Sequence, residues 1–357
     1  SFWLFSRSSF PHMDIVYINQ TFGFGGAEVF NLSLIKYLSQ SHKVTVYSNS
    51  PYFSGDKVPF TVDLIGDWKG FLKGILYLPF LLTFYIYIIL KNYTCSIYYF
   101  TGFIEKILCT PILRLLGKKS VWIEFGPLES VVTRFFHIPE YLYRLSAYFP
   151  DKVIFSAHNS LNLNKKYYPQ NIPLQVLPLG SPTPPKNIAK IQPFEAICIS
   201  RLEPGKGQDL LIKAWKDSFG KLIILGTGDE NYMKKLKILI NNKYIDLLGY
   251  IDDKYAYLKA CKFTVFPSTW PLEGFGLVIT ESLSMGKPVI AFDHPPGNEI
   301  IKSGYNGLLG DNLTENISKL VKNPKLLQKL SRNAKTSWRL NFQEEICLSR
   351  FAKTIVK

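Results

Sequence analysis

Short apolar runs alternate along this chain with stretches whose apolar residues recur every three or four positions, the spacing of one helix face. Residues 14–19 are the first run and predict a buried strand. A glycine-rich loop from Gln20 to Glu28 leads into a helical pattern through residue 38, and residues 43–48 alternate as a second strand. Further strands are predicted at 97–100, 120–125, 152–156 and 174–177, with helices at 102–116, 139–148 and 157–168. The alternation restarts after residue 193. Strands are expected there at 195–200, 221–225, 245–248, 263–266 and 288–292. Helices are expected from 207, at 232–241 and 252–260, after 276, and from 312 to the end. Alternation of this kind predicts an α/β fold with parallel sheets, because a parallel pair needs a crossover and a helix usually supplies it.

Between the two series, residues 178–193 carry Pro178, Pro182, Pro184, Pro185 and Pro193 with little periodicity, and read as a linker. The expected architecture is two doubly wound, Rossmann-like domains, residues 13–177 and 194–337, facing a cleft, with a terminal helix in 338–357. Ligands of such sheets sit at the C-terminal strand ends. Residues 1–12 read as an extension ahead of a natural start at Met13; they lack a signal-peptide core.

The segment 74–90 departs from the pattern. It is apolar all the way round, contains no charged residue, includes Pro79 and is bracketed by Lys73 and Lys91. As a helix it reaches roughly 25 Å, just short of a hydrocarbon core of about 30 Å. Three readings stay open: a buried helix of the first domain, a helix dipping into one leaflet, or a span.

Composition and charge narrow the function classes. The chain has 357 residues, 47% hydrophobic and 19% charged, as a folded two-domain protein would. Its five cysteines are scattered, without a CxxC pair or Cys/His cluster, so neither a disulfide framework nor a zinc site is expected. The net charge of +15 is spread: 16 Lys and Arg against 10 Asp and Glu up to Gly180, and 26 against 17 after it. Phosphorylated small molecules and anionic lipid suit that balance. No RNA-binding motif, zinc finger or long basic run is present, so nucleic acid is not an expected partner.

Three stretches carry candidate chemistry. Pro271 to Glu281 places Glu273 and Glu281 eight positions apart, with Gly274, Phe275, Gly276 and Leu277 between them at the start of a helix. Glycines let a ligand approach the backbone, and a helix start leaves N–H groups open to phosphate. One carboxylate would then serve each end of an elongated polyol-phosphate ligand. Ser200 to Gly207 brackets a Pro204-Gly205 turn with Arg201 and Lys206, two cations suited to a phosphate. It lacks the first glycine and the Ser/Thr of a P-loop. Gly25 and Gly26 open the first helix, where a phosphate could sit, although their spacing with Gly23 is not a dinucleotide fingerprint.

Taken together, these stretches resemble the retaining glycosyltransferases of family 4, glycosyl transferases group 1, which have the GT-B fold. The matching residues are Gly25-Gly26-Ala27-Glu28, the Arg-x4-Lys pair Arg201 and Lys206, and the Glu-x7-Glu pair Glu273 and Glu281. Gly226 to Asp229, Gly249 to Ile251, Gly286 to Val289 and Pro296 to Glu299 support them. The resemblance runs from Met13 onward and is densest between Ser200 and Gly307.

The resemblance implies transfer of a sugar from a nucleotide-diphosphate sugar with retention at the anomeric carbon. Arg201 and Lys206 would hold the diphosphate, and Gly25 and Gly26 would approach it from the first, acceptor-side domain. Glu281 would take ribose hydroxyls. Glu273 would take donor-sugar hydroxyls, with backbone N–H groups of Gly274, Phe275, Gly276 and Leu277 nearby. Gly249, Tyr250 and Ile251 would meet the nucleobase. Residues 338–357 would cross back to the first domain. No metal and no cofactor are implied; the nucleotide sugar is a substrate. Many members carry a His after the strand that here ends in Glu124-Phe125-Gly126-Pro127. Either Glu124 takes a polar catalytic role there, His158 faces the cleft, the enzyme manages without that His, or activity is impaired. The expected acceptor is a glycan or lipid-linked molecule, with the protein peripheral on the cytoplasmic face of a membrane. The alternatives are a catalytically weak nucleotide-sugar-binding subunit, or another GT-B enzyme such as a nucleotide-sugar epimerase.

Overall fold

The structure is a computed structural model that describes residues 12–21, 25–59, 68–132 and 135–357. The expected N-terminal extension therefore lies outside the described residues, apart from His12. Two compact units are present. The first holds the chain up to Phe155, Leu161–Val176 and Leu348–Lys357; the second holds Ser156–Ser160 and Leu177–Cys347.

In the first unit the order is β1 Asp14–Asn19, α1 Gly26–Leu38, β2 Lys43–Ser48, β3 Asp56–Lys57, α2 Trp68–Lys91, β4 Ile97–Phe100, α3 Phe103–Leu115, β5 Lys119–Glu124, α4 Glu129–Val132, α5 Ile138–Ser146, β6 Lys152–Phe155, α6 His158–Asn164 and β7 Leu174–Val176. The strands form one parallel sheet in the order β3-β2-β1-β4-β5-β6-β7. Helices cover the central strands on both faces, which is why those strands are unbroken apolar runs rather than alternating ones. Val16, Ile18, Tyr98, Phe100, Trp122 and Phe155 share one core with buried residues of α2, α3 and α5.

In the second unit the order is β8 Phe194–Ile199, α7 Gln208–Ala214, β9 Leu222–Leu225, α8 Glu230–Leu239, β10 Ile245–Gly249, α9 Lys254–Ala260, β11 Cys261–Phe266, α10 Leu277–Ser284, β12 Val289–Ala291, α11 Gly297–Ile300, β13 Gly307–Leu309, α12 Leu313–Lys322, α13 Pro324–Ser337 and α14 Glu344–Val356. Its sheet, also parallel, runs β10-β9-β8-β11-β12-β13. Each sheet thus grows to one side, returns to its first strand and grows to the other, the doubly wound α/β order read from the sequence.

The sequence pattern passes over β3, α11 and β13, which have two, four and three residues. Elements that short complete no hydrophobic period. The proline-rich segment is tied down rather than loose. Ser181 pairs with Gln343, its N–H donates to the Phe342 carbonyl at 3.0 Å, and the Trp338 indole donates to its hydroxyl at 3.0 Å. Helix α14 starts in the second unit, and its residues 348–357 belong to the first. There Phe351 packs on Phe30, and Lys119 and Lys152 donate to the carbonyls of Lys357 and Thr354. Cations at a helix C-terminus satisfy carbonyls that have no partner within the helix.

Helix α2 is longer than the apolar segment at both ends and is not a buried helix. Phe71, Leu81, Tyr85, Ile88 and Ile89 are buried, whereas Leu72, Leu76, Phe80, Tyr87 and Leu90 are each more than half exposed. Its inner face reaches a buried carboxyl on α3. Glu105 is 0% exposed, its Oε1 accepts from the Tyr85 hydroxyl at 3.3 Å, and its Oε2 has no hydrogen-bond partner among the described residues. Burial pushes its pKa up to about 7.

A carboxyl whose folded pKa lies above its unfolded value stabilises the fold while protonated, and that stability is lost as pH rises through the folded value. Stability should therefore fall between the ordinary carboxyl range and about pH 7. Denaturant midpoints across that range should show the fall in the parent and a flatter profile in Glu105→Gln, a difference on the order of 3 kcal/mol.

Candidate functional site

The strand order of the second unit reverses between β8 and β11, and the loops leaving these two strands diverge in sequence but meet in space. A doubly wound sheet opens its ligand crevice at such a switch point. The Thr269 N–H donates to the Gly205 carbonyl at 2.8 Å. Gly207 lies against Pro267, where an added Cβ would stand 1.9 Å from the Pro267 carbonyl oxygen, and its φ is +75°. Only a glycine allows that approach together with that backbone angle.

This contact brings two expected site residues together. Lys206 Nζ lies 2.6 Å from Glu273 Oε2, with side chains 10% and 15% exposed. The Ser268 hydroxyl donates to the same oxygen at 3.1 Å, and the Lys206 ammonium stands 5.2 Å from the centre of the Trp270 ring. Arg201 does not join them: its guanidinium is largely exposed and pairs with Glu203 at 2.9 Å. The expected second carboxylate, Glu281, is on α10 and accepts from Lys254 Nζ at 2.6 Å. Lys254 opens α9, just past Gly249, Tyr250 and Ile251 at the end of β10. Gly249 has φ +76° and its carbonyl accepts from the Gly226 N–H, Tyr250 is exposed, and Ile251 packs on a core cluster.

Helix starts differ between the site and its surroundings. Side chains of Asp229, Asp253, Asn312 and Asn323 cap α8, α9, α12 and α13. By contrast α7 and α10 begin at Gly207 and Gly276, both left-handed and without a side-chain cap. Glycine contributes no capping oxygen, so these first-turn N–H groups keep their capacity for a ligand. Gly274 precedes the buried Phe275, whose ring anchors the loop near Phe342, and Leu277 starts the helix.

In the first unit, Gly25 caps α1 and its N–H donates to Glu28 Oε2 at 2.8 Å; Gly26 is the first helical residue. The Thr21 hydroxyl donates to Glu28 Oε1 at 3.1 Å. Residues 22–24, with Gly23, lie outside the described residues. His158 is exposed.

Glu124, expected in a catalytic role, stands in a buried network of the first unit. Its Oε1 accepts from Lys106 Nζ at 2.6 Å and from the hydroxyls of Tyr143 and Tyr168 at 2.5 and 3.1 Å, and the residue is 3% exposed. Burial pushes the pKa of Lys106 down, and Glu124 opposes that shift. A carboxylate held in this way neutralises an interior cation through its Oε1. Sequence reasoning also missed Ser268, Trp270 and Lys254. Ser268 and Trp270 stand in the loop after β11, so the strand end alone could have pointed to them. Nothing local links Lys254 to Glu281, 27 positions away.

Gly207→Ala should cost about 2 kcal/mol or more, through both the left-handed angle and the close carbonyl. Denaturant unfolding measures it, and an unchanged midpoint would mean that the two loops are not packed as described.

Residues 183–337 match the family model described as glycosyl transferases group 1. An uncharacterized glycosyltransferase of Methanocaldococcus jannaschii is 37% identical over 141 residues, 37% of this chain and 39% of that protein. The Campylobacter jejuni N-acetylgalactosamine-N,N'-diacetylbacillosaminyl-diphospho-undecaprenol 4-alpha-N-acetylgalactosaminyltransferase is 31% identical over 150 residues, 39% of this chain and 40% of that protein. The chain thus spans well under two thirds of either relative. Among solved structures, Anabaena HepE in complex with UDP has a TM-score of 0.78 at 20% identity, covering 96% of this chain and 99% of its own. Sucrose-phosphate synthase from Thermosynechococcus elongatus has a TM-score of 0.76 at 15% identity, covering 96% and 98%. Residues 183–337, which hold the Lys206–Glu273 pair, are thus similar to the glycosyl transferases group 1 family, and the chain has the GT-B fold.

Proposed function

We propose that this protein transfers a sugar from a nucleotide-diphosphate sugar to a glycan or lipid-linked acceptor, with retention and without a metal. The observation that carries this reading is the Lys206–Glu273 pair, at the switch point of the sheet and inside the family-matched segment. The pair is neutral as it stands. A diphosphate entering beside Lys206 competes for its ammonium and frees Glu273 to accept hydroxyls of the donor sugar. Lys254 and Glu281 form a second such pair, from which Glu281 turns to the ribose. Arg201, at the solvent edge, closes on the diphosphate as a planar, bidentate cation.

In the transfer step the bond between the anomeric carbon and the β-phosphate oxygen breaks. A bond from that carbon to the acceptor oxygen forms, and the acceptor proton passes to the leaving phosphate. With Glu124 enclosed, the phosphate is the proposed base. Arg201, Lys206 and the N–H groups of Gly274, Phe275, Gly276 and Leu277 stabilise the charge that develops on it. Gly25 and Gly26 are assigned to the diphosphate, and Gly249, Tyr250 and Ile251 to the base, on the family resemblance. HepE has been solved with UDP and with UDP-glucose, which puts uridine first among donors to try.

The reaction is placed at the cytoplasmic face of a membrane, a reading supported by the exposed apolar face of α2 and the net charge of +15. The Campylobacter relative is named for an undecaprenol-linked acceptor, in keeping with that reading.

Thermal stabilisation by UDP, GDP and ADP in turn should single out one nucleotide. With its sugar as donor, Arg201→Ala and Lys206→Ala should each lower kcat/KM by about 10²–10³-fold. Glu124→Gln should lose stability but keep its rate per folded molecule. Nucleotide binding without turnover across a donor panel would replace the enzyme reading with that of a binding subunit. In lysates the protein should sediment with membranes and be partly released by high salt or alkaline carbonate; wholly soluble protein would overturn the membrane part.

A further inference from the structure

We infer that the outer faces of α2, α3 and α5 form one apolar platform that lies flat in a single leaflet of a membrane rich in anionic lipid. This rests on the membrane-face reading and deepens it, since it assigns the contact to three helices and excludes a span.

Helix α2 is apolar on two opposite faces, of which one packs on the core of the first unit. Leu72, Leu76, Phe80, Tyr87 and Leu90 recur at helical spacing along the other and are exposed, Leu76 by 73%. Less than a third of the apolar window in this helix is buried, unlike the core helix of a soluble domain. Helix α3 continues the surface. Its first-turn charges, Glu105 and Lys106, are buried in the core, while Ile107, Leu108 and Ile112 are partly covered and Leu115 is 87% exposed. Helix α5 adds Ile138, Tyr141, Leu142 and Leu145, all exposed, with Tyr143 turned inward.

The three helices are neighbours in one layer. Phe71 of α2 stacks on Phe135, just ahead of α5, at 4.1 Å, and Phe103 of α3 stacks on Tyr143 of α5 at 5.4 Å. All three pack on the same face of the sheet. Single exposed apolar residues are ordinary on a soluble protein; a contiguous layer of this kind marks an interaction site.

A span is incompatible with the inner contacts of α2. The Tyr85 hydroxyl accepts from Gln20 Nε2 at 3.0 Å and donates to Glu105, and Asn92, one residue past the helix, donates to the Tyr47 hydroxyl at 2.9 Å. Turning the helix across a bilayer would strip these buried groups of their partners. Lying in the plane keeps them and buries the outer stripe.

Charge selects the occupant. Lys69 and Lys73 on α2 and Lys118 just past the end of α3 make no ion pair among the described residues. The acidic groups nearby already hold cations: Asp56 pairs with Lys91, Asp151 with Arg114, and Glu140 with Arg144. A two-fold dimer on this face would bring its basic rim against itself, whereas anionic headgroups complement it.

The test is vesicle binding by the full chain. Leu76→Glu on α2, Leu115→Glu on α3 and Leu145→Glu on α5 should each weaken binding to phosphatidylcholine–phosphatidylglycerol vesicles about tenfold or more, and pure phosphatidylcholine should bind the parent less tightly. Ile238→Glu, exposed in the second unit, should bind like the parent. Each variant should keep the nucleotide-dependent thermal shift, which separates loss of the platform from loss of folding. The five native cysteines are buried, so a polarity-sensitive dye reports from Leu76→Cys or Leu145→Cys alone and should shift to the blue at both positions. Unchanged vesicle binding in these variants would overturn the platform while leaving the membrane reading in place, as would an effect confined to α2. A dimer broken by them, with vesicle binding intact, would assign the face to a second copy instead. A parent that binds no vesicle would overturn both readings.

Discussion

The approach of Gly207 to the Pro267 carbonyl is the constraint on which the candidate site depends. In a parallel sheet the strands on either side of the switch point send their connections to opposite faces, and a crevice opens between them. Here that crevice is narrowed until two loops share a backbone hydrogen bond, with Gly205 accepting from Thr269. A side chain at position 207 would hold the loops apart. Because they meet, Lys206 and Glu273, 67 positions apart, form one ion pair.

That pair is half-enclosed, so it is neither a solvated surface pair of little energetic consequence nor a sealed interior one. The contrast with Lys106 and Glu124 is instructive. There both charges are buried and two tyrosine hydroxyls share the carboxylate oxygen that the lysine holds, a network suited to a structural role. Lys206 and Glu273 keep an open side. The uncapped glycine starts of α7 and α10 bring further donors into the same region. Complementary charges that can exchange partners at modest cost are suited to a ligand that carries both phosphate and hydroxyls.

The first unit shows how one sequence property serves two environments. Helix α2 needs apolar residues toward the sheet and carries as many on its outer face. Its neighbour α5 also exposes apolar residues and α3 adds Leu115, while their charged groups either turn inward to defined partners or gather at the ends. Burial of Glu105 beneath this layer raises its pKa to about 7 and makes the stability of the unit depend on pH between the ordinary carboxyl range and about pH 7.

Much of this was legible in the residues. Near-continuous apolar strands separated by helical patterns determined the parallel α/β fold, because strands covered on both faces need no polar alternation. The spacing of Arg201 with Lys206 and of Glu273 with Glu281 pointed to the candidate site, since each motif lies within one local turn or helix start. The sequence pattern alone could not decide what lies across the fold from those residues. That Glu124 is enclosed by Lys106, Tyr143 and Tyr168, that Glu281 is held by Lys254, and that α2 is half-covered are set by packing between elements far apart in the chain. Local periodicity records which residues avoid water, and only the tertiary structure decides which of them find a protein partner.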